Sequence, residues 1–193
     1  MAVSLSKGQT LSLEKSGGGR LTRVFMGLGW DAVARGFLGR RKSVDVDLDA
    51  SALLFDARGE LVDQVWFQQL RSRDGSVQHT GDNLTGAGEG DDERIVVDLS
   101  AVPAAVASVV FTVNSFTGQD FSSIQNAFCR LVDAAGPQEV ELARYELSGA
   151  GRHTAQVMAK LTRQGRGWAM TAIGQTASGR TFSELLPAVR PHL

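Results

Sequence analysis

Short apolar runs rich in Val, Leu, Phe and Thr, each broken by Gly, Asp, Asn or Ser, repeat along almost the whole chain. The segments LTRVFMGLGW (21–30), SVDVDL (43–48), SALLFD (51–56), LVDQVWFQQL (61–70) and RIVVDLS (94–100) read as strands. So do SVVFTVNSF (108–116), AFCRLVD (127–133), VELARYEL (140–147), HTAQVMAKL (153–161) and WAMTAIG (168–174). About ten strands at a spacing of roughly ten residues predict an all-β sandwich or barrel, not alternating βα units. Ala57-Arg58-Gly59, Asp74-Gly75 and Gly165-Arg166-Gly167 supply the turns between runs. Helix is sparse. Residues 100–108 are expected to begin a short turn capped by Ser100, and 181–190 a short helix capped at Thr181 or Ser183 and limited by Pro187. One helical turn is expected in DFSSIQNAF, just ahead of its strand.

At 193 residues, with 42% hydrophobic and 21% charged positions, the chain is long enough for one well-buried core, and one domain over 1–193 is expected. No run approaches a membrane span, and the N-terminus lacks a basic head followed by an apolar core. Cys129 is the single cysteine, which excludes an internal disulfide and suits a reducing compartment. A cytoplasmic protein is the expectation.

The net charge of −1 conceals a segregation. Residues 1–42 hold eight Lys and Arg against two acids, residues 43–98 thirteen acids against four Arg, and residues 99–193 eight Lys and Arg against six acids. So acidic a middle third argues against nucleic acid as a partner. Either unlike surfaces balance one another, or the middle third binds a cation.

Two segments carry that charge. Strand alternation in SVDVDLDA sets Asp45, Asp47 and Asp49 on one face, with Val44, Val46, Leu48 and Ala50 toward the core. An EF-hand is excluded, because Ala50 stands where its loop needs Gly and the flanks are not helical. The second segment, GDNLTGAGEGDDE (81–93), gathers Asp82, Glu89, Asp91, Asp92 and Glu93 with Asn83 and four glycines. Calcium takes about six to eight oxygens from carboxylates, amides and carbonyls, and this loop offers that mixture. Thiolate or imidazole sets for zinc or copper are absent. A solvated acidic turn and a cation site both remain open on the loop alone. Two acidic clusters in one small β domain favour metal if the fold joins them.

The remaining candidates are weaker. His79, His153 and His192 show no metal spacing and no triad partner, and Cys129 lies in a strand-like run as a buried, inert thiol. Trp30, Trp66 and Trp168 are expected in the core. No phosphate-loop or dinucleotide fingerprint is present.

VSLSKGQTLSL at the start, GLGWD (27–31), DLDASALLFD (47–56) and HTGDNLTGAGEGDDE (79–93) together resemble the tellurium resistance TerD family. FTVNSFTGQDFSSIQNAFCRLVD (111–133) and GRTFSELLP look most like its TerZ branch. The resemblance spans nearly the whole chain in consistent order. It implies a β-sandwich of about ten strands with one or two short helices, binding calcium through the two acidic segments. Asp47, Asp49, Asp82, Asn83, Glu89, Asp91, Asp92 and Glu93 are expected around more than one ion, with Asp31 and the carbonyls of Leu84 and Gly88 completing the shells. Seven negative charges among those eight side chains call for about two divalent ions.

The resemblance further implies association with tellurite and chemical stress, often beside a membrane-embedded partner, with no established catalysis. The segment AVARGFLGRRKS (32–43) is longer and more basic than the link in many members, and is read either as a phosphate- or acid-contacting insertion or as a solvated loop. A single buried cysteine provides no redox pair for reducing tellurite. The expectation is a non-catalytic, calcium-binding scaffold or adaptor of the stress response. Its expected partners are other tellurium resistance proteins and a protein of the inner membrane, with no nucleic acid and no direct insertion. The alternative is a metal-dependent, phosphoesterase-like hydrolase built on the same carboxylates. No catalytic general acid or base accompanies those segments.

Overall fold

A computed structural model describes residues 3–14, 19–32, 34–37, 40–43, 47–81, 90–147 and 151–193. Among them, two six-stranded sheets face each other. The first runs β1 (Val3–Ser4), β12 (Val140–Glu146), β11 (Ile124–Asp133), β3 (Arg23–Ala32), β9 (Glu93–Asp98) and β8 (Val77–His79). The second runs β2 (Thr10–Ser12), β14 (Gly167–Ala177), β13 (Ala155–Gln164), β10 (Ser108–Ser115), β6 (Leu48–Phe55) and β7 (Leu61–Val65). Every pairing within them is antiparallel except β1 with β12. The expected all-β sandwich is what forms.

Alternation explains the layers. Val24, Met26, Leu28 and Trp30 of β3 and Ile95 and Val97 of β9 turn inward. They meet Leu48, Ala50, Ala52 and Leu54 of β6 and Val109, Phe111 and Val113 of β10. Each large apolar side chain enclosed there contributes about 1.5–3 kcal/mol. The second sheet is apolar on its other face too. Leu53, Phe55, Val110, Val157 and Ile173 pack under Val189 of the short helix α1 (Phe182–Val189) and beside Phe182 and Leu186. That cover is why β6 and β10 are buried at every position, where a one-faced strand would alternate.

Several expectations are corrected. The run 61–70 is not one strand: β7 ends at Val65, and Trp66 and Gln69 close a turn through reciprocal backbone hydrogen bonds. Trp66 is not in the main core but sits edge-on to Phe67 and Phe182, while Trp30 and Trp168 are core residues as expected. Within the basic insertion, β4 (Ala34–Phe37) pairs with β5 (Arg40–Ser43) as a two-stranded antiparallel ladder. The expected strand 43–48 is divided between the end of β5 and the start of β6, and residues 44–46, with Asp45, lie outside the described residues. The turn after β9 is capped by Asp98, not Ser100: Asp98 Oδ1 accepts the Ser100 and Ala101 amides. Pro187 sits inside α1, which continues two residues past it. The helical turn at Phe121–Ser123 forms where expected.

Candidate functional site: an acidic end of the sandwich

β3 and β9 are antiparallel neighbours, with Leu28 opposite Glu93. The C-terminal end of β3, carrying Trp30 and Asp31, therefore lies beside Asp91 and Asp92, which lead into β9, and Glu93, its first residue. The start of β6, with Asp47 and Asp49, arrives at the same end from the opposing sheet, because Glu93 and Ala50 are hydrogen-bonded across the gap.

The three consecutive acids go three ways. Glu93 continues the inward alternation of Ile95 and Val97, so its carboxylate lies 1% exposed between the sheets. Its Oε2 accepts the Ala50 amide at 2.7 Å and faces His79 Nε2 at 3.3 Å. The Gly81 amide donates to His79 Nδ1 at 3.2 Å, which assigns the ring proton to Nε2, toward the carboxylate. Sequence reading saw no partner for His79. The signal available was its parity with Val77, which also turns it inward.

Asp91 turns to the outer face of β3. Arg130 grips it with two bonds, Nε to Oδ1 at 2.6 Å and Nη2 to Oδ2 at 2.8 Å, and Arg94 Nε adds a third contact at 2.9 Å. Glu141 holds Arg130 from the other side at 3.1 Å. Burial lowers the acidity of Glu141, but hydrogen bonds from Arg144 and Arg130 outweigh it and bring its carboxyl below the ordinary range. This network explains GLGWD. A Cβ on Gly27 would stand 2.5 Å from the Asp91 carboxylate, and one on Gly29 2.5 Å from the Gly90 carbonyl and the Phe128 ring. Leu28, between these two bare positions, and Trp30, just after them, turn to the core. The geometry commits Asp91 to guanidinium partners.

Asp92 accepts the Trp30 amide at 2.9 Å through Oδ2. Its pKa is raised, first by burial, with the charges of Asp31 and Asp91 adding to the effect and the Trp30 amide opposing it. Asp31 is exposed, and Asn126 Nδ2 holds its Oδ2 at 2.7 Å. Asn126 reaches it from a bulge in β11, where the register with β3 shifts between Gln125 and Phe128 and Asn126 takes φ 51°. Asn is among the residues that tolerate that left-handed conformation.

Asp49 faces away from the main core, as strand alternation predicts, but it is 4% exposed instead of solvated. Its register partner Asn114 donates Nδ2 to Asp49 Oδ2 at 3.0 Å and to the Arg180 carbonyl at 2.6 Å, tying the β6 carboxylate to the segment that leads into α1. Asp47 is half-buried, and its carbonyl accepts the Phe116 amide at 3.2 Å. Asp82, Asn83, Leu84, Gly88 and Glu89 lie outside the described residues. Among the described residues, no group of three or more His, Cys, Asp or Glu side chains is arranged to hold a metal ion. Elsewhere Cys129 is fully enclosed, and burial pushes its thiol up to about 12, so thiolate chemistry at neutral pH is closed to it.

An all-β sandwich in which the acidic residues 91–93 lie beside the end of the GLGWD strand defines the class. Residues 1–187 match the TerD domain, and the chain belongs to the TerD family. It is similar to tellurium resistance protein TerZ of Serratia marcescens, at 47% identity over 188 residues, 95% of this chain and 94% of that protein. It is 39% identical over 198 residues to stress response protein SCP2 of Bacillus subtilis (strain 168), covering 96% of this chain and 98% of the relative. A solved structure of a homologue of telluride resistance protein (TerD) from Streptomyces coelicolor A3(2) matches with a TM-score of 0.67 and 23% identity, over 86% of this chain and 95% of the other. That likeness bears on the fold alone. The chain is a TerD-family protein close to TerZ, and these relatives place it among proteins of tellurium resistance and stress response. No helix among the described residues is long and apolar enough to cross a membrane.

Proposed function

We propose that this protein is a calcium-binding, non-catalytic scaffold of the tellurite and chemical stress response. The observation that carries the reading is the partly buried Asp92 carboxylate, held by the Trp30 amide at the end of β3, with the charges of Asp31 and Asp91 acting on it and its pKa raised, first by burial. Like charges held together at a partly buried position call for a cation. Two further carboxylates, Asp47 and Asp49, come to the same end of the molecule on β6, fastened there by the Glu93–Ala50 bond.

In this reading Asp31, Asp47, Asp49 and Asp92 supply oxygens to calcium together with Asp82, Asn83, Glu89 and the carbonyls of Leu84 and Gly88. Asp91 and Glu93 have structural duties instead, the first to Arg130 and Arg94, the second to Ala50 and His79. They position the loop ends and contribute field more than ligation. Hard oxygen donors without thiolate suit calcium over zinc or copper.

Binding cancels much of the negative charge of residues 43–98 and so changes the field that a partner meets. Partners with an acidic face, among them related sandwiches and the cytoplasmic side of a membrane protein, associate with the calcium-loaded form. Co-purification of wild type and an Asp82→Ala, Asp92→Ala double variant, each at high calcium and in chelator, tests this. A partner set that changes only for wild type with calcium supports the scaffold reading. An identical set in all four conditions contradicts it.

A further inference from the structure

The opposite end of the sandwich carries a second polar site of inverse charge. A cleft of about 310 Å³ opens between Arg20–Thr22 ahead of β3, Leu99–Ser100 behind β9, and the β13–β14 hairpin with Arg163, Arg166 and Trp168. β3 is ten residues long, which puts this cleft roughly 30 Å from the acidic end at the ordinary strand rise.

Arg163 is the fixed element of the cleft. Its guanidinium lies over the Trp168 ring, 4.4 Å from the centroid, and Trp168 is itself pinned by its indole N–H to the Leu99 carbonyl at 3.3 Å. Nε donates to the Val106 carbonyl at 3.1 Å, and Nη2 to the Val102 and Pro103 carbonyls at 3.0 Å each. These acceptors are neutral, and both Nη1 hydrogens remain unused. Arg20 and Arg166, both exposed, flank it. Among the described residues, no carboxylate comes within ion-pair distance of any of these three arginines.

The nearby acids have other roles. Asp98 accepts the Ser100 hydroxyl at 2.5 Å and two turn amides, and Glu14 pairs through its backbone with Arg20 while its side chain lies beside Gly167. A structural role for Arg163, tying down the 102–106 turn, accounts for three of its donors. It accounts neither for the two Nη1 hydrogens nor for two more arginines lining the same cavity.

We infer that the Arg20–Arg163–Arg166 cleft binds a phosphate-class oxyanion, seated on the free Nη1 edge of Arg163 and closed by Arg20 and Arg166. The two Nη1 hydrogens can make charge-assisted bonds to phosphate oxygens, and a guanidinium already immobilised by carbonyls and an aromatic face loses little entropy on binding. The Thr22 hydroxyl at the rim is a further donor. A free phosphate compound and a phosphate headgroup at a lipid surface present the same chemistry, and the test separates them.

The full chain, kept in chelator so that calcium bridging contributes nothing, is titrated calorimetrically with inorganic phosphate and with pyrophosphate. Its flotation with phosphatidic acid vesicles is measured in parallel. Saturable binding that weakens with added salt is expected, and an Arg20→Ala, Arg166→Ala double variant, altered only at exposed side chains, should lose about tenfold or more in affinity at unchanged melting temperature. Arg163→Lys, which keeps the charge but not the planar, carbonyl-anchored guanidinium, should weaken binding as well. Binding of the free anions assigns a soluble ligand, and binding of vesicles alone assigns a headgroup. No saturable binding in any arm, or equal affinity in the folded double variant, overturns the inference.

Discussion

Glu93 Oε2 accepts the backbone amide of Ala50 at 2.7 Å across the space between the two sheets. One bond thus joins the last residue of the acidic 81–93 segment to the strand that carries Asp47 and Asp49. It satisfies an amide at the head of β6, in a stretch where the β7 ladder, which begins its pairing at Ala52, offers no partner. A buried carboxylate is tolerable there because the amide and the His79 N–H both aim at it.

Glu93→Ala should therefore cost about 1–3 kcal/mol, since it leaves the Ala50 amide without its acceptor. Glu93→Gln, which retains an acceptor oxygen, should cost less. Urea denaturation of the two variants checks the order.

Gly27→Ala should destabilise by about 1–3 kcal/mol through overpacking against the Asp91 carboxylate. Arg130→Met should cost about 3 kcal/mol, because Asp91 is wholly enclosed and would keep only Arg94. Because the two changes act on one carboxylate, their double variant should fall short of the sum of the single effects. Strict additivity in that double-mutant cycle would show that Gly27 and Arg130 are not coupled through Asp91.

Much of this end of the molecule was legible in the sequence. Period-two alternation correctly sends Leu48 and Ala50 inward, and the same rule gives Asp49 its outward face. Two things were hidden. Pairing by charge alone cannot say which of three successive acids meets Arg130, because that arginine lies 39 residues away and becomes adjacent only through the β3–β11 register. The burial of Asp49 was equally hidden, since it depends on Asn114 and the segment ahead of α1 closing over a face that alternation marks as solvent. The bulge that turns Asn126 toward Asp31 has no signature beyond an Asn in a strand-like run.

Asp98 supplies a pH test remote from the acidic end. The Ser100 hydroxyl, opposed by burial and joined by the Ala101 and Ser100 amides, lowers its pKa below the ordinary 3.8. A depressed carboxyl stabilises the fold above its unfolded pKa, and that contribution is lost as pH falls through the folded value. Asp98→Ala should thus cost about 1 kcal/mol at neutral pH, as for a lost cap, and progressively less below about pH 4. Denaturation midpoints of variant and wild type measured from pH 7 to pH 2.5 should converge. A gap that stays constant would contradict the assignment.

Calcium should raise the melting temperature, by the equivalent of about 2.7 kcal/mol at a hundredfold excess over the dissociation constant. Magnesium should do less, because it sheds water reluctantly. Asp92→Asn separates repulsion from ligation: without metal it should melt no lower than wild type, since it relieves the charge repulsion from Asp31 and Asp91, yet its calcium-induced shift should shrink. A variant that melts lower in chelator and retains the full calcium shift would assign Asp92 to structure alone.

The most direct test of the central claim is calorimetric titration of the folded chain with calcium, beside the Asp82→Ala, Asp92→Ala variant. Saturable binding of about two ions between low-micromolar and millimolar concentration, abolished or weakened at least tenfold in the variant, is the predicted result. Absence of any saturable heat across that range, or identical isotherms for the two proteins, would contradict it.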